Sequence, residues 1–158
     1  MQHEIKDRDV QVVCDWDDHL PLISADPAQL KQAFYNIIRN AIQAMAGGGT
    51  LTIQCCEADE EIVMRISDTG TGIDPENMSK LFQPYFSTKE SGNGIGLMVV
   101  ERVFREHGTK LSIESAGGKG TSFIISFPLH RMNARILPSA GHFVAGVLPE
   151  AETKDDQE

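Results

Sequence analysis

The chain has no basic excess, no long apolar run and almost no cysteine, and each shortage removes a class of protein. Lysine and arginine total 14 against 23 aspartates and glutamates, a net charge of −9, with no basic cluster to offset it. That balance argues against electrostatic nucleic-acid binding. It leaves a nucleotide ligand open, because backbone amides, one lysine and a metal ion can hold phosphates against an acidic background. No apolar stretch approaches the roughly 20 residues of a membrane span. The opening MQHEIKDRDV is polar and charged, unlike a secretory leader. Cys14, Cys55 and Cys56 make an odd set with a vicinal pair and no CxxC spacing, poor material for a disulfide framework or a zinc site. A reducing, cytosolic compartment with three inert thiols is expected. His19, His130 and His142 have no neighbours that suggest a metal or catalytic cluster.

What is present suits one globular domain. Of 158 residues, 41% are hydrophobic and 23% charged, which allows a sizeable core. Val10, Val12 and Val13 suggest a short strand. Asp26-Pro27 reads as an N-cap followed by proline at the first helical position, opening a helix that runs to about Met45 and stops at Gly47-Gly48-Gly49. At about 100° per residue, Leu30, Phe34, Ile37, Ile38, Ala41 and Met45 share one face, and Asn36 and Asn40 are expected nearly opposite it. Alternation marks strands over 50–57 and 61–68, with a hairpin turn at Glu57-Ala58-Asp59-Glu60. Residues 69–94, with two prolines and several glycines, are too long for an ordinary connection and read as a functional loop or lid. A second helix is expected from near Gly94 to His107-Gly108, then strands at 110–115 and 121–127. Hairpins dominate this order. The expected fold is therefore α+β, a two-layer α/β sandwich with a mostly antiparallel sheet covered on one face by helices. Residues 1–130 form the domain, and 131–158 read as a flexible tail. Within that tail Ile136, Leu137, Phe143, Val144 and Val147 offer an alternative, a docking segment.

Four short motifs occur in order, each weak alone. They are Asn36-Ile37-Ile38-Arg39-Asn40-Ala41, Asp68-Thr69-Gly70-Thr71-Gly72-Ile73, Gly92-Asn93-Gly94-Ile95-Gly96-Leu97 and Gly118-Lys119-Gly120-Thr121-Ser122-Phe123. Leu81-Phe82-Gln83-Pro84-Tyr85-Phe86-Ser87-Thr88-Lys89 lies between the second and third. Together they make physical sense as a nucleotide site. A carboxylate at a strand end accepts from an exocyclic amine, and glycines beside it let a flat base approach the backbone. Glycines at a helix start free amides to face phosphates, where the helix dipole favours negative charge. Lys89 can reach a terminal phosphate, and an asparagine oxygen suits magnesium.

The set resembles the Bergerat ATPase fold shared by gyrase, heat-shock chaperone ATPases, histidine kinases and MutL. Within it the chain is most similar to the catalytic, ATP-binding domain of sensor histidine kinases, over about Val10 to Leu129. Residues 36–41 resemble the N box, 82–89 the F box, and the three glycine motifs the glycine boxes. The Phe-Ser-Thr-Lys ending is most like the nitrogen-regulation type. The resemblance implies two cofactors, ATP and Mg2+, with Asn40 holding the metal and Asn36 assisting. It implies that Asp68 accepts from the adenine amine, with Gly70, Gly72 and Ile73 shaping the pocket and Thr121 supporting the base edge. Gly92, Gly94, Ile95, Gly96 and Leu97 would cradle phosphates under an ATP lid, and Lys89 would contact the γ-phosphate. Asn36, Asn40 and Lys89 are thus the candidate catalytic residues, and Phe82 and Phe86 are lid anchors.

Hydrolysing members of this fold carry a glutamate four residues before the metal asparagine. Asn36 stands there, an amide that cannot act as a base near neutral pH. The resemblance therefore implies a kinase whose acceptor histidine lies on a separate helical dimerisation domain of the same parent, with a response regulator downstream. His3-Glu4 sits too close to the first strand to belong to such a helical hairpin. The fragment is expected to be a monomer and its parent a cytoplasmic or membrane-anchored homodimer. The rival readings are a hydrolysing ATPase and a degenerate nucleotide-binding regulatory module. Residues 74–93 are expected to be the most mobile ordered part without nucleotide. A site built from one base contact, a metal and a lid should bind ATP in the micromolar range, about −7 to −8 kcal/mol, measurable by calorimetric titration.

Overall fold

The computed structural model describes residues 8–86 and 94–129. In chain order the elements are β1 (Val10–Trp16), α1 (Pro27–Ala44), β2 (Gly49–Ala58), β3 (Glu61–Asp68), α2 (Pro75–Met78), α3 (Gly96–Glu106), β4 (Lys110–Ser115) and β5 (Thr121–Pro128). Helix α1 begins where the sequence indicates. Asp26 is extended, and its carboxylate accepts from the amides of Ala28 at 2.8 Å and Gln29 at 3.2 Å, while Pro27 supplies a preset φ. The β2–β3 hairpin turns on Asp59 and Glu60, both with positive φ. That twist suits tight hairpins although neither residue is glycine.

The five strands lie in the order β1-β2-β3-β5-β4. Three of the pairings are antiparallel; β1 pairs with β2 in parallel, because α1 carries the chain back across the sheet between them. One face is apolar and covered by α1 and α3. Leu51, Ile62, Ile66, Phe123, Ile125 and Phe127 lie beneath Ile37 and Ala41 of α1 and Val100, Val103 and Phe104 of α3, all buried. Phe104 meets Phe34 at 5.8 Å and, edge-on, Phe127 at 6.0 Å, tying both helices to the sheet. The other face is polar and stitched across strands by Arg65–Glu114 at 2.9 Å, Lys110–Glu61 at 2.6 Å and the Ser67–Ser122 hydroxyls at 2.8 Å. The hydrogen bond from Lys110 holds the Glu61 carboxyl below its ordinary range.

The expected two-layer α+β sandwich is therefore the fold, with three refinements. The parallel β1–β2 pair was hidden because both strands read alike in sequence. The lid region contains the short helix α2 after Pro75. Asn36 and Asn40 are not opposite the buried face of α1; both are half-buried at its margin. Ala33, fully buried and nearly in line with Asn40 on the helix, widens the covered arc toward them. Residues 1–7, 87–93 and 130–158 lie outside the described residues, as do the expectations made there for His3-Glu4, the lid and the tail.

The cysteines divide by burial. Cys55 is buried in the helix-covered face, whereas Cys14 and Cys56 are exposed, and all three are free. Burial, with Cys56 and Asp17 adding like charge, pushes the Cys55 thiol up. A chromogenic thiol reagent at about pH 8 should thus label Cys14 and Cys56 rapidly and Cys55 only after unfolding. Three equally fast thiols would contradict this packing.

Candidate functional site

The sheet ends in a polar row. Asp68 closes β3, Thr121 opens β5 and Ser115 closes β4, and the strand register sets Thr121 directly between the other two. Side chains on one sheet face recur every second residue. Asp68 is therefore in phase with Ile62 and Ile66, Thr121 with Phe123, and Ser115 with Ile113. The row occupies the helix-covered face, where the apolar pattern gives way to oxygen. Asp68 is 7% exposed and Thr121 5%. Buried polar groups are tolerable only when paired, and these are linked to the adjoining loops. The Asp68 carboxylate accepts from the Gly70 amide at 2.8 Å. Ser115 Oγ accepts from the Ile73 amide at 2.9 Å, donates to the Gly120 carbonyl at 2.8 Å and lies 3.0 Å from Thr121 Oγ1.

The loop after Asp68 is clamped between the end of α1 and the β4–β5 turn. The Thr71 amide donates to the Ala44 carbonyl at 3.1 Å, and the Gly118 amide donates to Thr71 at 2.7 Å. A Cβ on Gly70 would lie 2.7 Å from Ala44. Gly72 and Gly120 have φ of 68° and 78°, and a Cβ on either would meet the carbonyl of Ala116 or Asp68 respectively. These glycines are required by close backbone approach around the polar row. Ile73 sits at its mouth, half-buried, through its amide bond to Ser115.

Helix α1 connects this row to a second feature. Asn36, Asn40 and Ala44 fall four residues apart, one line along the helix about 12 Å long at 1.5 Å per residue. Ala44 abuts Gly70 at one end; Asn36 faces Gly96, the first residue of α3, at the other. Asn40 lies midway. Unlike α1, helix α3 starts without a side-chain cap, since Ile95 stands at its N-cap. The amides of Gly96 and Leu97 lie in that first turn, where a helix has no internal partner to offer. Gly94, with φ of 63°, packs against the Tyr85–Phe86 backbone. Phe82 and Phe86 are half-buried beside buried Leu81. Lys89 and Gly92 lie outside the described residues. The far end of α3 is fastened by His107. The Asp26 amide donates to His107 Nε2 at 3.0 Å, so Nδ1 carries the proton that meets the Val103 carbonyl at 2.7 Å.

Three contributors escaped the sequence: Ser115, Ala44 and His107. Ser115 had left a signal, a hydroxyl in phase with Leu111 and Ile113 where a core residue was due. Ala44 and His107 left none, because their roles depend on which elements meet.

A five-stranded sheet under two helices, with a buried strand-end acid, a polar row and an uncapped helix start, defines a nucleotide-type site on an α+β sandwich. Residues 25–131 match the profile of the histidine kinase-, DNA gyrase B- and HSP90-like ATPases, and the chain belongs to that family. Sporulation kinase C of Bacillus subtilis strain 168 is 42% identical over 108 residues, 68% of this chain and 25% of that protein. Sensor histidine kinase ZraS of Escherichia coli strain K12 is 33% identical over 130 residues, 82% of this chain and 28% of its own length. The chain thus spans about a quarter of these relatives. Among solved structures, the catalytic domain of histidine kinase ThkA superposes with a TM-score of 0.71 at 27% identity, covering 80% of this chain and 84% of that one.

The glycine contacts separate backbone need from site need. Gly120→Ala should destabilise the fold by about 2 kcal/mol or more. Gly96→Ala should not, because its Cβ would reach Asn36 only at an ordinary 3.4 Å. Chemical denaturation of the two variants checks the contrast; equal losses would refute it.

Proposed function

We propose that this chain is the catalytic part of a sensor histidine kinase: it binds Mg-ATP and presents the γ-phosphate to a histidine on a separate helical domain. The observation that carries the reading is the α1 line running from the buried acceptor row to the uncapped start of α3. It supplies base recognition, neutral oxygen ligands and the amides of a helix's first turn in the order in which ATP needs them. Asp68 accepts from the adenine amine, Thr121 flanks it, and Gly70, Gly72 and Ile73 wall the base. Gly94, Ile95, Gly96 and Leu97 offer backbone to the phosphates, joined from the lid by Gly92 and by Lys89, which meets the γ-phosphate.

Asn36 and Asn40 are both half-buried and one turn apart on α1, and a neutral oxygen donor fits magnesium, which keeps most of its shell for phosphates and water. Asn40 would hold the ion and Asn36 would assist. The bound ion would neutralise phosphate charge. Asn36 offers no base to activate water, so ATP is held rather than hydrolysed, and positioning is this chain's share of phosphoryl transfer. Residues 1–130 form the catalytic unit. The acceptor domain belongs to the same parent, a homodimer acting on a response regulator at the cytoplasmic side, whereas this piece is monomeric. Among the described residues no helix is long and apolar enough to cross a membrane.

Calorimetric titration with ATP should show magnesium-enhanced binding that falls about tenfold or more in Asp68→Asn, where a charge-assisted acceptor is lost. Added acceptor domain should then become phosphorylated. A folded wild-type chain that binds no ATP would sink the kinase reading and favour a regulatory module.

A further inference from the structure

We infer that Ser115 is a specificity-positioning residue: it fixes the direction of the Thr121 hydroxyl so that Thr121, like Asp68 beside it, presents an acceptor to the base. The inference rests on the reading of Asp68 and Thr121 as the base-binding pair. It follows from counting protons. A serine hydroxyl has one proton and two lone pairs. The Gly120 carbonyl, 2.8 Å from Ser115 Oγ, can only accept, so the serine proton goes there. The Ile73 amide, at 2.9 Å, can only donate and occupies one lone pair. The remaining contact, 3.0 Å to Thr121 Oγ1, must then be donated by Thr121. The threonine hydroxyl is thereby committed toward β4, and its lone pairs face away from Ser115, on the side where the register places Asp68.

Asp68 is an acceptor as well. Two acceptors side by side, both buried, suit an exocyclic amine and oppose a carbonyl. A base carrying a carbonyl at that position meets lone pairs, and no rotation of Thr121 can relieve this while Ser115 holds its proton. Sites built in this way reject the mismatched analogue because buried polar groups are left unpaired. Ser115 is not itself in the base pocket; it acts through Thr121, at the far end of the same polar row.

The test is the ratio of affinities for ATP and inosine triphosphate, which carries a carbonyl in place of the amine, measured by calorimetry with magnesium on the whole chain. The wild type should prefer ATP by about tenfold or more. Ser115→Ala frees the Thr121 hydroxyl to turn and donate, and should shrink that preference by about fivefold. In a Thr121→Val background, which has no hydroxyl to orient, Ser115→Ala should change the ratio less than about twofold. Should Ser115→Ala fail to fold by circular dichroism, Ser115→Cys, a weak donor of similar shape, should lower the preference by about threefold. If either serine variant weakens both nucleotides equally, leaving the ratio unchanged, Ser115 is merely structural and the inference is overturned. An equal effect in the Thr121→Val background overturns it too. Failure of the underlying reading looks different: the wild type itself would bind ATP no better than inosine triphosphate.

Discussion

Helix α1 ties the strand-end row to the start of α3. Its N-terminus is held by the Asp26 cap and by His107 from the end of α3. Its middle lies on the sheet through Ile37 and Ala41. Its last turn receives the loop that follows Asp68, through the Ala44 carbonyl. A helix pinned at three points over 18 residues is a rigid ruler. It places Asn36 against the start of α3 and Ala44 against Gly70, so the separation between the acid row and the helix start is set by covalent geometry rather than by a flexible connection. A shift of α1 by one turn would disengage both ends at once.

The polar row poses the opposite problem. Burial of Asp68 and Thr121 disfavours folding unless each oxygen finds a partner. The fold answers with backbone: amides of Gly70 and Ile73 and the carbonyl of Gly120 converge on the row. That convergence demands close chain approach, which explains why glycines stand at 70, 72 and 120 where a Cβ would collide with a neighbour. The hydrogen bonds that make burial tolerable also orient the hydroxyls. The contacts that stabilise the buried row are therefore the same ones that fix its hydroxyl directions.

The elements and the strand-end acid were legible in sequence for a simple reason. Periodicity, capping and turn chemistry are local. Asp26-Pro27 announced the start of α1, alternation marked β2 and β3, and Asp68 stood at a strand end beside glycines. The parallel partner of β1 was not legible, because Val10, Val12 and Val13 indicate a strand but carry no sign of a neighbour. Nor was the half-burial of Asn36 and Asn40. Helical spacing placed them away from the apolar stripe, but the buried arc extends through Ala33 to their side, and Asn36 lies against Gly96 of α3.

By itself, then, the sequence determined which residues could carry the chemistry: an acceptor acid, amide oxygens on one line of a helix, and glycines at a helix start. These are properties of side-chain type and short-range spacing. Tertiary structure decided their relations. The register across β3, β5 and β4 brought Ser115 alongside Thr121, although six residues and a turn separate them in the chain, and Asp68 comes from farther still. Packing of α1 on the sheet and α3 left two asparagines half-buried at the margin of the apolar face. No local pattern encodes such meetings, because they depend on burial of apolar faces that lie far apart in sequence and are satisfied together only once the whole sheet has formed.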